Sequence, residues 1–376
     1  MAAKPVIVYG ASGYTGRLIC EYLREYNVPF VAAGRNGGKL KAALEANVAG
    51  IETADYEIAE VGPDVESLKS LFADAEVVCN TVGPFAKHGP EVVQACLATG
   101  THYLDTTGEQ DWLVTCDEKY GADFAAAGLL LAPGVAHMYT TGEIAAELCL
   151  ETPGLDTLDI AVFWGGSPTI ASTLTILVNA ALAGAFYLSQ NRYEPWDPEA
   201  GLYQLVIPGQ HELALALPWG GTSHPVWYKR DPRVANVKVL GGVFNRPLMM
   251  GVPQIVAAAI EGTKDMGTED RYAALTATAQ QVMSEMPPRE NPRINKSVDS
   301  VHASGPLARA HCVIFGNCNY KQTGMLQAFA AASLLQQAPK RVGFASGCQA
   351  FGHHELLGVL RSFGLVAKPE LTVHDN

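Results

Sequence analysis

The sequence predicts an α/β protein in which a doubly wound parallel sheet carries an inserted second domain of the α+β class. Three observations predict this fold. Between residues 5 and 132, short apolar runs alternate with helical patterns, as a parallel sheet with crossover helices requires. A glycine-rich turn follows the first apolar run. After residue 135, strand-like runs follow one another without regular helical crossovers, which indicates a mostly antiparallel sheet.

The first domain is expected to span residues 1–135. Each predicted strand is a short apolar run, and each predicted helix places apolar side chains on one face. Gly100 ends one of these helices, because glycine readily adopts the conformation that follows a last helical turn. Strands are predicted at residues 5–9, 28–34, 57–61, 76–81, 101–104 and 128–132. Helices are predicted directly after the glycine turn and at residues 39–47, 65–72, 90–99 and 111–127.

The second domain is expected at residues 136–318, and C-terminal helices within residues 319–376 are expected to return to the first domain. Alternating apolar residues indicate most of the second-domain strands. These strands are predicted at residues 158–164, 202–207, 211–217, 234–243, 297–303 and 308–315. The accompanying helices are predicted at residues 142–150, 253–264, 269–285, 323–336 and 355–363.

Composition limits the function classes. The 376 residues are 48% hydrophobic and 17% charged, which is typical of a globular protein with a large core. A formal net charge of -12 argues against a general nucleic-acid binder and against docking on anionic lipid. The eight cysteines show no Cys-x-x-Cys spacing, so we expect reduced core thiols and no metal site. The N-terminus leads directly into a strand without a secretory signal, which favours a cytoplasmic location.

One uncharged stretch, residues 170–188, is long and apolar enough to raise the possibility of a membrane helix. Ser172, Thr175 and Asn179 would form a narrow polar stripe on it. Ser167 and Pro168 in front of it look like the N-cap and first turn of a globular helix. We therefore expect no integral membrane span but a buried helix or a subunit interface, with a homodimer through the second domain as one form. The stripe either lines a ligand cavity or forms hydrogen bonds within the core.

The glycine turn is the first candidate site. It lies between a buried strand and a helix, which is the context in which such a turn holds the pyrophosphate of a dinucleotide. The glycines allow a tight turn and close approach of the backbone, and the helix N-terminus offers N–H groups and partial positive charge. The predicted cofactor-binding residues of this turn are Gly10, Ser12, Gly13, Tyr14, Thr15 and Gly16.

The end of the second strand indicates which dinucleotide is bound. An acidic residue at this position binds the ribose 2′-hydroxyl of NAD, whereas an arginine accommodates the 2′-phosphate of NADP. The strand ends in Gly34-Arg35-Asn36, with Lys39 close behind and no acidic residue. We therefore predict NADP(H), with Arg35, Asn36 and Lys39 at the 2′-phosphate.

Two further strand ends supply candidate residues, because ligands of such sheets bind beyond the carboxyl ends of the strands. After the fourth strand, Thr81, Val82, Gly83, Pro84 and Phe85 are expected to flank the nicotinamide half of the cofactor. The run from Asp105 to Glu109 follows the fifth strand and is expected either to orient substrate or to act as a local cap. A hydride transfer also needs a proton source, and Tyr103, Glu109 or a water molecule are the favoured donors. The other side chains near strand ends that could reach the site are His88, His137 and Tyr139.

These motifs together resemble the saccharopine dehydrogenase-like reductases, and the branch they resemble most is the trans-acting enoyl reductases. Four motifs carry the resemblance over the first third of the chain: residues 8–16, residues 33–36, residues 80–85 and residues 103–109. The resemblance implies a Rossmann domain, an interrupting α+β substrate domain, NADP(H) and hydride transfer. It also implies that the C-terminal segment packs on the nucleotide-binding domain.

The favoured function is NADP-dependent reduction of an activated C=C bond in an apolar small molecule. An imine or carbonyl reductase or dehydrogenase remains open, as does a non-catalytic NADP-binding sensor or scaffold. The aromatic residues of the second domain would wall the substrate pocket or pack in the core; they are Trp164, Phe186, Tyr187, Trp219, Trp227, Tyr228 and Phe244.

Overall fold

The structure is a computed structural model that describes residues 4–197, 200–218, 222–283 and 286–375. The described strands are β1 (Val6–Tyr9), β2 (Phe30–Gly34), β3 (Tyr56–Glu60), β4 (Val77–Asn80), β5 (His102–Asp105), β6 (Leu130–Ala132), β7 (Thr157–Trp164), β8 (Phe186–Ser189), β9 (Arg192–Pro195), β10 (Tyr203–Leu205), β11 (Ala214–Ala216), β12 (Asn236–Val243), β13 (Lys296–Ser304), β14 (Ala308–Asn317), β15 (Gly343–Phe344) and β16 (Glu370–Asp375).

The α-helices lie between these strands and after them. They are α1 (Tyr14–Glu25), α2 (Gly37–Asn47), α3 (Val65–Phe72), α4 (Phe85–Thr99), α5 (Gln110–Thr115), α6 (Gly121–Ala126), α7 (His137–Leu150), α8 (Ile170–Val178), α9 (His224–Trp227), α10 (Arg246–Thr263), α11 (Thr268–Val282), α12 (Asn319–Leu334), α13 (Gly347–Phe351) and α14 (His353–Ser362). Two π-helical turns, Cys116–Tyr120 and Asn179–Ala183, interrupt this pattern.

The described residues form two compact units. The first unit contains residues 4–107, 112–140 and 320–363, and the second contains residues 108–111, 141–319 and 364–376 as far as they are described. Three of the boundaries, at 111/112, 140/141 and 319/320, fall within α5, α7 and α12.

The first unit is built on a seven-stranded sheet in the order β15-β6-β5-β4-β1-β2-β3. Every neighbouring pair is parallel. Apart from β15 at one edge, this is the 3-2-1-4-5-6 order of the Rossmann fold, in which β1 and β4 mark the point where the strand order reverses. Apart from the edge strand β3, whose residues are half-buried or exposed, the strands are largely buried, as expected for a parallel sheet covered on both faces. The predicted fold class is confirmed for this part of the chain.

The second unit contains a separate seven-stranded sheet in the order β16-β14-β13-β7-β12-β8-β9. All its neighbouring pairs are antiparallel except β7 and β12, which are parallel over eight register pairs. A two-stranded ribbon, β10 and β11, completes the strands of this unit. The predicted α+β class with a mostly antiparallel sheet is confirmed.

Several predicted boundaries are wrong for identifiable reasons. The helix predicted at residues 90–99 begins earlier, at Phe85, and contains Pro90. Proline is common in the first turn of a helix, so the pattern places the start of the helix at Pro90, although this residue lies inside it. The helix predicted at residues 111–127 is divided by the π-helical turn Cys116–Tyr120. Residues 364–376 were expected with the C-terminal helices, but β16 pairs with β14 in the second unit. The helix predicted at residues 269–285 ends at Val282, and residues 284–285 lie outside the described residues.

The uncharged stretch 170–188 is three elements and not one helix. Helix α8 passes into the π-helical turn Asn179–Ala183, Gly184 ends the turn with a φ of 71°, and β8 follows. The N-cap is Thr169, whose side chain accepts a hydrogen bond from the backbone N–H of Ser172, and not Ser167 as predicted. In the described part of the chain, no helix combines the length and apolarity needed to cross a membrane.

The apolarity of this stretch is explained by packing within the second unit. Leu177 and Val178 of α8 form a buried cluster with Ala259 of α10 and with Leu275 and Ala279 of α11. Burying these side chains stabilises the unit by roughly 1.5–3 kcal/mol for each large aliphatic residue. The eight cysteines are all buried free thiols, as the sequence predicted.

Candidate active site

Two glycines of the turn between β1 and α1, Gly10 and Gly16, have no room for a side chain. Gly10 has a φ of 91°, and a Cβ placed on it would lie 2.5 Å from Thr81 Oγ1 and 2.9 Å from Val82 Cγ2. A Cβ on Gly16 would lie 2.5 Å from the carbonyl oxygen of Gly10. The turn therefore packs directly on the loop after β4, as the predicted cofactor site requires.

The N-terminus of α1 fits the pyrophosphate of a dinucleotide. Gly13 is the N-cap residue, with φ of -72° and ψ of 167°, and no side chain caps the helix there. The first N–H groups of a helix have no intrahelical acceptor, and the helix dipole favours a negative group beside them. Ser12 and Thr15 are half-buried in the turn. The residues present therefore fit the phosphates that this site is expected to hold.

Tyr14 connects the turn to the C-terminal part of the first unit. Its ring packs edge-to-face on that of Tyr320 near the start of α12, with ring centroids 5.0 Å apart. Nearby, a Cβ on Gly324 would lie 2.7 Å from the Cβ of Leu18, so α12 approaches α1 closely. The structure thus gives Tyr14 a packing role in addition to its predicted place at the cofactor.

The end of β2 presents the residues predicted at the 2′-phosphate. Arg35, Asn36 and Lys39 are exposed. The Asn36 side chain accepts a hydrogen bond of 2.8 Å from the backbone N–H of Lys39, so it caps α2. The Glu60 carboxylate accepts a hydrogen bond of 2.8 Å from the N–H of Gly37. Sequence reasoning missed Glu60, because it ends the neighbouring strand β3 and only the pairing of Gly34 with Glu60 brings it here.

The loop after β4 is tied to the end of β1. The Thr81 hydroxyl donates to the carbonyl oxygens of Tyr9, at 3.0 Å, and of Gly10, at 3.2 Å. The N–H of Val82 donates to Asn80 Oδ1 at 2.9 Å. The Gly83–Pro84 peptide is cis, and α4 begins at the buried Phe85. Residues 81–85 and the glycine turn therefore lie side by side at the carboxyl end of the sheet, and the place of residues 81–85 beside the nicotinamide remains a prediction.

A buried carboxylate, Asp105, organises the end of β5. Its Oδ1 accepts hydrogen bonds from the backbone N–H groups of Thr107, at 2.9 Å, and Gly134, at 2.8 Å. Its Oδ2 accepts from the Tyr103 hydroxyl at 2.8 Å and from Trp112 Nε1 at 3.0 Å. Burial raises the pKa of Asp105 to about 6, although these donors act in the opposite direction.

Tyr103 is enclosed in the same network. Its side chain is fully buried, and its oxygen accepts a hydrogen bond of 3.0 Å from Asn80 Nδ2 while its proton goes to Asp105. Burial and the Asp105 carboxylate raise the pKa of Tyr103 well above its usual range. A hydroxyl held in this way suits a residue that positions β4, β5 and Asp105, and its role as proton donor remains a prediction.

Tyr103→Phe is expected to lower the free energy of unfolding by about 1.5–3 kcal/mol, because it removes a hydrogen bond to a buried charged group. The loss should be larger at pH 7.5 than at pH 4.5, since the bond favours ionised Asp105. Denaturant unfolding measures both values, with Tyr56→Phe on the half-buried β3 as control. Equal stability of wild type and Tyr103→Phe would contradict the positioning role.

The pH dependence of stability is expected to carry the signature of Asp105. Its pKa is raised from about 3.9 in the unfolded chain to about 6 in the folded protein. Its contribution is therefore fully present below about pH 3.9 and is lost as the pH rises through about 6. The difference in unfolding free energy between wild type and Asp105→Asn should fall by up to about 3 kcal/mol between pH 4 and pH 7. A difference that stays constant, or grows with pH, would contradict this assignment.

Glu109, the other predicted proton donor, belongs to the second unit and is completely buried. Burial and then the Glu109 and Asp111 carboxylates raise the pKa of Tyr272 to about 12, which places these acidic groups near α11. The next residue, Gln110, is fixed by the backbone of the same unit. Its Nε2 donates to the carbonyl oxygens of Phe186, at 3.0 Å, and Thr222, at 2.8 Å.

Gln110 also lines a cavity of about 540 Å³ that lies within the second unit. This volume is in the range of small-molecule sites. The π-helical turn after α8 contributes Asn179, Ala180 and Ala183, and α10 contributes Val252 and Val256. Aromatic rings of Phe186, Trp196 and Tyr203 complete much of the remaining lining.

The cavity corrects the list of aromatic residues expected in a pocket. Phe186 lines it as predicted, whereas Trp164, Trp227 and Tyr228 are buried in the core. Phe244 packs on the cluster around Phe163, and Trp219 lies outside the described residues. Trp196 and Tyr203 were missed, because a lone aromatic in a loop or a short strand carries no signal of what it lines.

The fold and the site together define a dinucleotide-binding α/β domain joined to an α+β domain with an apolar cavity. The chain belongs to the family described as "Family of unknown function (DUF5938)", whose model matches residues 140–375. Residues 6–128 match the saccharopine dehydrogenase NADP binding domain. This match confirms both the family resemblance and NADP(H) as the cofactor of this part of the chain.

Curated relatives match the same N-terminal part. A lipid droplet localized protein of Caenorhabditis elegans is 34% identical over 137 residues. A Mycobacterium tuberculosis protein named as a trans-acting enoyl reductase is 33% identical over 134 residues. The human saccharopine dehydrogenase-like oxidoreductase is 32% identical over 139 residues. In each case the match covers 34% of this chain and 32% of the relative, so the chain spans about a third of their length.

The solved structures that match are at lower sequence identity. A short-chain type dehydrogenase/reductase from Mycobacterium marinum is 10% identical, with a TM-score of 0.29 over 35% of this chain and 73% of that chain.

Proposed function

We propose that this protein is an NADPH-dependent reductase that adds hydride to an activated C=C bond of an apolar small molecule. The observation that carries the proposal is the NADP binding domain at residues 6–128, with its glycine turn held against residues 81–85. A relative named as an enoyl reductase, and the apolar cavity of the second unit, support the choice of a C=C bond and of an apolar substrate.

Each candidate residue then has a defined task. The turn of Gly10, Gly13 and Gly16 holds the pyrophosphate at the start of α1, and Arg35 pairs with the 2′-phosphate. Residues 81–85 flank the nicotinamide ring. Bound NADPH supplies the hydride, so the protein contributes position and a preorganised field. Tyr103 holds the end of β5 in place, and Glu109 or a water molecule delivers the proton to the second carbon of the bond.

The test combines cofactor binding with turnover. NADPH binding is measured by its fluorescence, and NADPH oxidation is followed with a panel of enones, enoyl thioesters, imines and aldehydes. Oxidation with the first two groups, and a lower kcat for Glu109→Gln at unchanged NADPH affinity, is the expected result. Turnover of imines or aldehydes alone would identify an imine or carbonyl reductase. Tight NADPH binding without any turnover would contradict the proposed reductase function and favour a sensor or scaffold role.

Two broader predictions accompany this function. The homodimer through the second domain remains a prediction, which light scattering of the purified protein measures. A cytoplasmic location also remains a proposal; its support is that all eight cysteines are reduced, buried thiols.

A further inference from the structure

We infer that the cavity of the second unit is the binding site of an uncharged apolar molecule, and that the π-helical turn Asn179–Ala183 sets the size of that molecule. The assignment of this molecule as the substrate rests on the proposed function, whereas its binding does not. Three properties of the cavity carry the inference: the state of its polar groups, the position of its only charge in the described lining, and the small residues along one stretch.

Three polar side chains of the lining, Gln110, Thr222 and Asn179, form hydrogen bonds with the backbone of the second unit, and Asn179 Oδ1 is left as a buried acceptor without a hydrogen-bond partner among the described residues. Besides the two bonds donated by Gln110, its Oε1 accepts a hydrogen bond of 2.9 Å from the N–H of Phe186. The Thr222 hydroxyl donates to the carbonyl oxygen of Gly108. Asn179 Nδ2 donates to the same oxygen at 3.2 Å. The donor groups of these side chains are therefore already used, and they offer little compensation to an anionic ligand.

The charges in the lining further restrict which ligands the cavity can bind. In the described lining, Asp197 is the only ionisable acid or base apart from Tyr203, and Asp197 is exposed. A charge that is buried without a partner loses its hydration and gains no compensating contact. An anionic ligand would meet no cation in the described lining and would also be repelled by Asp197. The occupant is therefore expected to be neutral, and the apolar lining supplies its affinity.

The wall of small residues leaves space for the occupant beside the π-helical turn. The π-helical turn and the residues after it place Ala180, Ala183, Gly184 and Ala185 in the lining. A Cβ on Gly184 would meet no atom within 4 Å, so space adjoins the turn. π-Helical turns are rare and occur frequently at functional sites. The aromatic rings of Trp196 and Tyr203, with centroids 5.6 Å apart, add broad apolar surface.

Ala180 and Ala183 are the residues whose size can be changed without disturbing the core. Ala180 is half-buried and Ala183 is exposed, so larger side chains there enter the cavity and its mouth. Ala171, exposed on α8 and absent from the lining, is a matched control.

The experiment uses the full chain and the neutral fluorescent dye N-phenyl-1-naphthylamine. Its affinity should fall about tenfold or more in Ala183→Trp and in Ala180→Phe, because each side chain occupies ligand space. Affinity should stay unchanged in Ala171→Trp. 1-Decanol should displace the dye at least about tenfold better than decanoate, whose charge loses hydration without gaining a partner. NADPH affinity should be equal in all four proteins.

The inference is overturned if the dye binds Ala183→Trp and Ala180→Phe as it binds wild type, or if decanoate competes as well as decanol. The readouts separate this inference from the proposed function. If the dye binds as expected but no substrate supports NADPH oxidation, the binding site is supported and the proposed reductase function is contradicted. If substrates are turned over and their KM is unchanged in both cavity variants, the reductase function is supported and this cavity is not its substrate site.

Discussion

The Gly13→Val variant is expected to lose NADPH affinity by about a thousand-fold while remaining folded. Gly13 precedes α1 at the position where the pyrophosphate approaches the backbone. The side chain would occupy that space, and losing about 4 kcal/mol of phosphate contacts corresponds to this factor. The protein itself is expected to fold, because a Cβ on Gly13 meets only the Gly10 carbonyl oxygen, at 3.3 Å, and a shift of a few tenths of an ångström relieves this close contact. Its backbone angles also suit valine.

Gly267→Val is a closely matched control. Gly267 is likewise an N-cap glycine, that of α11, with φ of -63° and ψ of 160°, and a Cβ there meets no atom within 4 Å. It should bind NADPH as wild type does. Fluorescence titration gives the affinities, and thermal unfolding verifies that both variants are folded. A folded Gly13→Val protein with wild-type affinity would remove the glycine turn from the cofactor site.

The Arg35→Glu variant is expected to bind NADPH about a hundred-fold more weakly, whereas its affinity for NADH should change by less than about threefold. The change removes a guanidinium at the end of β2 and places a carboxylate beside the 2′-phosphate, which NADH lacks. Glu60 already brings one negative charge to the start of α2, so a second one adds to the repulsion. Titration with both cofactors measures the ratio of the two affinities.

Lys41→Glu serves as the control for charge reversal. Lys41 is exposed on α2 and pairs only weakly with Glu45, at 3.9 Å. Its reversal changes the net charge by the same amount as Arg35→Glu but lies outside the predicted site. An equal loss of affinity for NADH and NADPH in Arg35→Glu would show that Arg35 does not bind the 2′-phosphate.

The parts of the fold that were predicted from sequence are those with local signals. The strand, glycine turn and helix of residues 6–25 are contiguous, so spacing alone indicates both the element types and the phosphate site. The strand β15 has two residues and no pattern of its own. Strand β16 is exposed at the edge of its sheet and lacks the apolar run of a buried strand.

The residues of the candidate site were likewise predicted from sequence only where the signal is local. Arg35 and residues 81–85 follow strands directly and were predicted from position, and their contacts with the cofactor remain predictions. The network around Asp105 depends on Asn80, Trp112 and Gly134, which meet only when the sheet is assembled. For this reason the sequence suggested Tyr103 as a free proton donor and could not reveal the bonds that hold its hydroxyl. Glu60 was missed likewise, since it reaches α2 across a strand pair.

The order in which the chain is synthesised has a consequence for these two sheets. Strand β6 leaves the ribosome long before β15, its neighbour at Gly343–Phe344, because the residues of the second unit come between them. Strand β14, from Ala308 to Asn317, is likewise an open edge until β16 arrives. An unpaired edge of this length is a template for aggregation between nascent chains. The segment at residues 343–375 therefore completes both sheets late, and chaperone protection is needed most before it emerges.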